Sequence, residues 1–169
     1  MNYTNYFTLL GFEPSFEIDT KALEQNYFKI QQHFHPDRFV NRPSAEKIKA
    51  LQVATDANTA YQTLKDPLPR AVYMLSLQGM DIRKDGGEVK PSQELLMEAM
   101  ENREQLMEAL GPAEIEVLTM NNYKAMVVTI DHLAEAFREK AFPKAAELAM
   151  KLKYLQKFAD EIRIRKQKI

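Results

Sequence analysis

The sequence contains no cysteine, and this absence removes several classes of function at once. Disulfide scaffolds, thiolate nucleophiles and cysteine-held zinc or iron–sulfur centres all require thiols that the chain lacks. Glycine is also scarce, with five residues in 169. These five form no glycine-rich loop of the kind that cradles phosphate groups. The sequence therefore argues against an enzyme that binds phosphate through such a loop.

An excess of charge of either sign is missing too. The chain has 23 lysines and arginines against 24 aspartates and glutamates, for a formal net charge of -1. Such a chain has no uniform field to attract nucleic acid or an anionic membrane. No apolar run approaches the roughly 20 residues needed to span a bilayer, and the first residues resemble neither a secretory signal nor a transit peptide. We expect a cytoplasmic bacterial protein that binds neither nucleic acid nor membrane.

Apolar residues at helical spacing predict a first long helix. They are three or four positions apart and so share one side, namely Leu23, Tyr27, Ile30 and Phe34. Asp19 is suited to cap the start of this helix. The helix should end near His33 or Phe34, because the residue before Pro36 is pushed away from helical angles.

A second long helix is predicted from Ser44, a plausible cap, to the proline-containing stop at residues 66–69. Its helical pattern runs through Ile48, Leu51, Ala54, Ala57, Tyr61 and Leu64. Four small residues fit a close approach to the first helix, namely Ala50, Ala54, Ala57 and Ala60. Two helices joined by a short loop pack antiparallel. A shorter apolar segment follows at residues 71–77. Residues 78–91, with Asp85-Gly86-Gly87 and Pro91, are typical of a linker.

The rest of the chain predicts three more helices, at about residues 92–109, 113–139 and 143–167. Gly111-Pro112 and Pro143 separate them, in the usual arrangement of glycine after a helix and proline at the start of the next. Three antiparallel helices can bury a shared core without a sheet. The predicted fold is all-α, with domains at 1–77 and 92–169 joined by a linker at 78–91.

The first of these three helices has more apolar residues than one buried side requires. At about 100° per residue, one group clusters within roughly 60°, namely Leu95, Ala99, Leu106 and Leu110. Others lie beyond it, namely Leu96, Met97, Met100 and Met107. A core-facing side needs little more than about 100°. The surplus apolar residues either pack against a second neighbour within the molecule or form a groove that binds a partner protein. Methionines flanked by Glu101 and Glu104 are suited to such a groove.

The loop between the first two helices carries the sequence His35-Pro36-Asp37. Pro36 fixes its own backbone angle, Asp37 can accept a bidentate arginine, and His35 is a compact donor and acceptor. Such a loop can dock onto another protein. A metal or acid–base cluster of His33, His35 and Asp37 is the alternative. It would need further ligands from elsewhere, because alternate residues share one side only in a strand.

Followed by a helix that ends NTAYQTLKDP at residues 58–67, this loop resembles the J-domain of DnaJ-type co-chaperones. The resemblance implies that His35, Pro36 and Asp37 dock on a heat-shock chaperone and trigger its ATP hydrolysis. The chain would then activate a partner ATPase without being an enzyme. A local basic surface would steer docking, formed by Lys21, Lys29, Arg38 and Arg42. Many J-domains have a denser basic helix here, and Lys21 and Lys29 also fit an ordinary solvated helix side.

Three further runs resemble the HscB co-chaperone family over nearly the whole chain. They are YFTLLG at residues 6–11, RAVYMLSLQG at 70–79, and Leu96-Met97-Glu98 followed by Arg103-Glu104. The resemblance implies an L-shaped molecule with an N-terminal J-domain, made of an antiparallel helical hairpin plus short helices. It also implies a C-terminal three-helix bundle that binds the iron–sulfur scaffold IscU.

The family's scaffold contacts carry over to Leu96, Met97, Met100, Glu101, Glu104 and Tyr154. Met100 stands where leucine is usual and Tyr154 where phenylalanine is usual, so both keep an apolar body. The expected function is delivery of IscU to an HscA/DnaK-type chaperone for iron–sulfur cluster assembly, with no cofactor and no metal. One alternative is a general J-protein that delivers unfolded clients. Another is a small helical metal-dependent hydrolase using His35 or His132.

Overall fold

The computed structural model describes residues 3–82 and 89–168, and the chain divides into two compact units, Met1–Tyr73 and Met74–Ile169. The described residues form seven α-helices and one 3₁₀-helix and contain no strand, so the predicted all-α class is confirmed. Within this described part, no helix combines the length and the apolar character that crossing a bilayer requires. Asp85, Gly86 and Gly87 of the predicted linker lie outside the described residues.

The N-terminal unit begins with helices α1 (Tyr6–Leu9), α2 (Thr20–His33) and α3 (Ser44–Leu64), with a 3₁₀-helix (Pro36–Phe39) between α2 and α3. Asp19 caps α2 as predicted. Its carboxylate accepts hydrogen bonds from the backbone N–H groups of Lys21 (2.9 Å) and Ala22 (3.1 Å). α2 ends at His33, where the sequence before Pro36 predicts its end.

Helices α2 and α3 pack antiparallel, as predicted. Tyr27 of α2 stacks on Tyr61 near the end of α3, with ring centroids 4.5 Å apart. One turn later on α2, Gln31 Nε2 donates to the carbonyl of Ala54, earlier on α3, at 2.8 Å. Small buried side chains on α3 allow the two backbones to approach, namely Ala50, Ala57 and Ala60.

The predicted apolar pattern of α3 coincides only in part with its buried side. Ile48 and Leu51, which belong to that pattern, are 69% and 60% exposed. The buried side instead passes through Ala50, Val53, Ala57, Ala60 and Leu64. Ala50, Ala57 and Ala60, expected at the close approach to α2, are on this buried side, whereas Ala54 is half-buried. Ser44 is the first helical residue and not the cap, since Pro43 precedes it without a side-chain hydrogen bond.

Helix α4 (Pro67–Leu77) begins four residues before the predicted segment, because a first helical turn tolerates proline. Arg70 anchors it within the N-terminal unit. Its Nη1 donates to the carbonyl of Leu64 at 2.8 Å, and its guanidinium lies 5.0 Å from the ring centroid of Phe16. The first unit ends at Tyr73 and the second begins at Met74, both inside α4. The domain end expected at residue 77 stays a prediction.

The C-terminal unit contains α5 (Gln93–Glu108), α6 (Pro112–Arg138) and α7 (Phe142–Lys166), close to the predicted segments. Lys166 Nζ of α7 lies 2.8 Å from the Glu116 carboxylate of α6. Further along α6, Asn122 Nδ2 donates to the carbonyl of Leu155, earlier on α7, at 3.0 Å. α6 and α7 are therefore antiparallel.

Helices α5 and α7 run parallel to each other. Glu98 pairs with Lys151 at 2.9 Å, and Arg103, one turn later on α5, pairs with Glu161, later on α7, at 3.0 Å. Part of the shared core is a buried cluster at one end of the bundle, made of Leu106, Ala109, Ile115, Phe158 and Ile162. The bundle therefore runs up, down and up with short connections.

Candidate functional site

The 3₁₀-helix between α2 and α3 presents His35, Pro36 and Asp37, which we call the HPD loop. Pro36 occupies the first helical position, where its missing N–H and fixed φ are tolerated. His35 caps the turn, because its Nδ1 accepts the backbone N–H of Asp37 at 3.4 Å. The side chains of His35 and Asp37 are 58% and 87% exposed. A single capped turn therefore holds the Asp37 carboxylate in solvent.

Two aromatic rings hold the HPD loop from its two ends. Phe34 precedes the loop and Phe39 ends the 3₁₀-helix, and their rings stack nearly parallel with centroids 6.2 Å apart. Both side chains are half-buried. The loop therefore combines fixed ends with exposed polar atoms, an arrangement that suits docking without a large ordering cost.

His35 and Asp37 also interact through their side chains, since Nδ1 lies 3.5 Å from a carboxylate oxygen of Asp37. With Nδ1 unprotonated, the ring accepts the Asp37 N–H. With Nδ1 protonated, it donates to the carboxylate instead. Among the described residues, none besides His35 forms an ion pair with Asp37. The carboxylate is thus open to a cationic group from a partner.

The four basic residues expected to steer docking are spread along the unit. Arg38 is exposed next to the HPD loop, and Lys29 is exposed one turn before the end of α2. Lys21 lies eight residues before Lys29, about 12 Å away along the helix axis. Arg42 Nε lies 4.0 Å from the carboxylate of Glu46. Lys21 is therefore farther from the HPD loop along α2 than Lys29.

Phe28 is an exposed residue on α2 that the sequence reasoning did not include. Its side chain is 54% exposed. It follows Lys21 by seven residues and so lies on the same side of the helix. The available signal was an aromatic residue outside the buried three-and-four spacing of α2. The exposed side of α2 that carries Lys21 therefore also carries the apolar ring of Phe28.

On α5 the surplus apolar residues are exposed, while Leu95 and Leu106 are buried. We call these exposed residues the α5 face, which consists of Leu96 (41% exposed), Met97 (57%), Met100 (62%) and Met107 (71%). Met107 was not among the expected contacts. It follows Met100 by seven residues and extends the same side by two turns. The surplus of apolar residues on α5, which includes Met107, was the signal that could have added this residue to the expected contacts.

Leu110 was expected on the buried side of α5, and this expectation is wrong. The helix ends at Glu108, so helical periodicity no longer applies two residues later. Leu110 is 86% exposed, and its backbone N–H donates to the Glu114 carboxylate at 2.6 Å. Ala109 is buried in its place.

Charged groups border the α5 face. Glu101 and Glu104 are exposed. Arg103 donates to Glu161 of α7 through Nε and Nη2 at 3.0–3.2 Å, and these hydrogen bonds, with the carboxylate's charge, raise the pKa of Arg103. This fork fixes the distance between α5 and α7 on one side of the face.

Tyr154 lies on α7 beside this edge of the α5 face. It is half-buried and lines a small pocket together with Ala99, Asn102 and Arg103 of α5. Arg103 follows Leu96 by seven residues and therefore lies on the same side of α5. The structure thus places Tyr154 next to the part of the α5 face that begins at Leu96, and Glu101 toward the opposite edge.

His132, weighed as a catalytic base, is exposed on α6. It lines an open cleft of about 350 Å³ beside lysine and glutamate side chains, among them Lys144, Glu147 and Lys151. Two of these lysines are ion-paired, Lys144 with Glu147 at 3.6 Å and Lys151 with Glu98 at 2.9 Å. Across residues 3–82 and 89–168, no group of three or more histidines and carboxylates is placed to hold a metal ion.

Comparison with known proteins identifies the family. Residues 91–163 match the family model described as the HSCB C-terminal oligomerisation domain. The chain is 36% identical over 165 residues to the co-chaperone protein HscB homolog of Aeromonas hydrophila, covering 94% of each chain. It is 35% identical over 162 residues to the co-chaperone protein HscB of Proteus mirabilis, covering 94% of this chain and 93% of that one.

Solved structures agree. The crystal structure of human co-chaperone protein HscB superposes with a TM-score of 0.88 at 30% identity, covering 98% of this chain and 84% of that one. Chaperone HscB from Vibrio cholerae superposes with a TM-score of 0.84 at 33% identity, covering 98% and 100%. The chain belongs to the HscB family of co-chaperones.

Proposed function

We propose that this co-chaperone binds an IscU-type iron–sulfur scaffold through its C-terminal unit and delivers it to an HscA/DnaK-type heat-shock chaperone. The HPD loop docks on the ATPase domain of the chaperone and stimulates ATP hydrolysis there. The hydrolytic groups belong to the chaperone, so this chain is an activator and not an enzyme. The cytoplasmic location expected from the sequence stays a prediction.

The proposal depends most on the exposure of Asp37. An aspartate with no described partner except His35 has unused acceptor capacity, and an arginine can fill it with two parallel hydrogen bonds. Pro36 and the stacked Phe34 and Phe39 hold the turn that carries this carboxylate. Arg38 adds positive charge next to it in the chain, and Lys29 adds more on the last turns of α2, which favours encounter with an acidic partner surface.

The α5 face supports the scaffold-binding half of the proposal. Exposed methionines beside a leucine form an apolar surface that adapts to a partner's shape. Glu101 and Glu104 supply a charged rim around it, as interface cores usually have. The ring of Tyr154 extends the surface onto α7, and its hydroxyl can reach water or the partner.

Replacement of Asp37 by asparagine tests the activation step. Asp37→Asn keeps the size of the side chain and removes its charge, so a charge-assisted hydrogen bond is lost at almost no steric cost. Such bonds contribute about 1.5–3 kcal/mol, so stimulation of a cognate chaperone's single-turnover ATP hydrolysis should fall by roughly tenfold or more. Glu13→Gln, at an exposed carboxylate of the same unit, is the matched control and should stimulate normally.

Unchanged stimulation by Asp37→Asn, at the same co-chaperone concentration, would refute the proposal. A scaffold titration of the same variant separates the two activities, because the α5 face is intact and binding should match the wild type. Competition between an unfolded peptide and the scaffold for the surface at Leu96 and Met97 would favour the alternative of a general J-protein that delivers unfolded clients.

A further inference from the structure

Methionine supplies all the sulfur in this chain, which has nine methionines and no cysteine. Residues 2–73, which include the HPD loop, contain no sulfur atom. In the C-terminal unit four methionines are half-buried or buried, namely Met74, Met80, Met126 and Met150. Four others are more than half exposed, of which Met120 lies on α6. The remaining three belong to the α5 face, namely Met97, Met100 and Met107.

The three methionines of the α5 face lie close together in direction. At about 100° per residue they fall within roughly 80°, with Met100 and Met107 nearly in line. Each is exposed over more than half of its area, so a small oxidant reaches it without any opening of the fold. Met150, in contrast, is only 7% exposed and is protected by packing. The chain therefore exposes most of its accessible thioethers on the surface assigned to the scaffold.

We propose that Met97, Met100 and Met107 form a reversible oxidation site that controls binding of the scaffold. Hydrogen peroxide converts their thioethers to sulfoxides, and the oxidised α5 face no longer holds its partner. This inference rests on the proposed function, because it concerns the surface to which the scaffold is assigned. It adds the chemical modification by which that surface is regulated.

The oxidation step has hydrogen peroxide as its co-reactant. A lone pair of the thioether sulfur attacks one peroxide oxygen, so that an S–O bond forms and the O–O bond breaks. The proton of the transferred oxygen passes to the departing hydroxide, which becomes water. Sulfur loses two electrons and peroxide gains them. Methionine sulfoxide reductases reverse the change by returning two electrons, which restores the thioether and releases water.

Oxidation changes the α5 face from apolar to polar. A sulfoxide oxygen is a hydrogen-bond acceptor, and its burial in an interface without a donor is unfavourable. Glu101 and Glu104, which border the face, carry carboxylates, and an ionised carboxylate is an acceptor only. The rim that these residues form therefore supplies no compensating hydrogen bond. The same three side chains in the thioether form are flexible and apolar, which suits them to partner contact.

The modification affects one of the two proposed activities. Because residues 2–73 contain no sulfur, peroxide leaves the thioether-free HPD loop as a chaperone-docking surface. An oxidised chain should therefore stimulate the chaperone normally in the absence of scaffold while losing its cargo. This second measurement separates regulation of the α5 face from general damage to the protein.

Calorimetric titration of a purified IscU-type scaffold against the full chain tests the inference. The chain is treated with hydrogen peroxide, the peroxide is removed, and peptide mass spectrometry verifies one added oxygen at each of the three methionines. Oxidised wild type should bind the scaffold more weakly by roughly tenfold or more. Reduction by both classes of methionine sulfoxide reductase should restore the affinity, because each class acts on one sulfoxide epimer.

Leucine substitutions assign the effect to the α5 face, with each variant compared with its own untreated sample. Met97→Leu combined with Met100→Leu and Met107→Leu removes the thioethers and keeps apolar side chains of similar volume. Peroxide should leave the affinity of this triple variant unchanged. Met120→Leu removes an exposed thioether from α6 and is the matched control. Its affinity should fall on oxidation as much as that of the wild type.

Two results would overturn the inference alone. One is undiminished affinity of a wild-type chain that carries all three sulfoxides, and the other is an equal loss in the triple leucine variant. If untreated wild type bound no scaffold, the proposed function and this inference would both be overturned. Circular dichroism before and after treatment checks that the bundle remains folded.

Discussion

The HPD loop and the α5 face are both exposed, but they use opposite chemistry. In the HPD loop the exposed groups are a carboxylate and an imidazole on one short turn, held between two stacked rings. On the α5 face they are apolar side chains on a regular helix, spread over Leu96, Met97, Met100 and Met107. The HPD loop presents a few polar atoms on one fixed turn, and the α5 face presents apolar surface area.

This difference determines how each surface can fail. A polar contact depends on charge and direction, so exchange of one oxygen for nitrogen at Asp37 removes it. An apolar contact depends on the area removed from water, so truncation of side chains weakens it. We therefore expect an isosteric change to impair the HPD loop. On the α5 face, we expect alanine substitutions to be needed to impair binding.

The largest effect in the C-terminal unit is expected from Leu96→Ala combined with Met97→Ala. Central apolar residues of an interface typically cost about 2 kcal/mol or more when truncated. The double variant should therefore bind an IscU-type scaffold more weakly by well over tenfold, measured by calorimetric titration. Its stimulation of the chaperone without scaffold should stay close to wild type, because the HPD loop is unchanged.

A truncation elsewhere on the bundle controls for a general loss of apolar surface. Ile164→Ala removes a side chain that is 49% exposed on α7 and lies outside the α5 face, and should not change the titration. If Leu96→Ala with Met97→Ala gives the wild-type curve while remaining helical by circular dichroism, the α5 face does not bind the scaffold. The contrast with the HPD loop would then be lost.

A smaller effect is expected at Tyr154, where the apolar and polar contributions of one side chain can be separated. Tyr154→Phe keeps the ring that borders the α5 face and should change scaffold affinity by no more than about twofold. Tyr154→Ala removes the ring and should lower scaffold affinity about tenfold, within the range for a buried interface aromatic. An equal loss in both variants would show that the hydroxyl provides the contact, and that this edge of the surface is polar.

Helix limits were largely predictable because the signals for them are local. Asp19 before an apolar repeat and Pro36 after it gave the bounds of α2, and Gly111-Pro112 gave the start of α6. The family resemblance that predicted an HscB co-chaperone is confirmed by the comparisons. The roles given to individual residues from the same resemblance stay predictions.

Sequence reasoning failed where an assignment depended on what packs against a residue. Ile48 and Leu51 belong to the apolar pattern of α3, yet both are exposed, while three of the alanines expected at the close approach to α2 are buried. Leu110 continues the repeat of α5 in sequence but lies beyond the helix end. The exposed apolar residues of α6, among them Val117, Met120 and Tyr123, were missed for the converse reason. The pattern of a helix with two apolar sides does not tell which side the core takes.

The smallest effect is expected for Lys21→Gln combined with Lys29→Gln, which tests whether charge on α2 assists the HPD loop. Encounter with an acidic chaperone surface should slow, so the concentration for half-maximal ATPase stimulation should rise by a few-fold at low salt. The Debye length shrinks from about 10 Å at 0.1 M to about 3 Å at 1 M ionic strength, so the difference should disappear at high salt. Maximal stimulation should be unchanged, because Asp37 is intact. Lys153→Gln with Lys157→Gln removes the same charge from the C-terminal unit. An equal shift in that control would mean that net charge, and not the position of Lys21 and Lys29, sets the encounter rate.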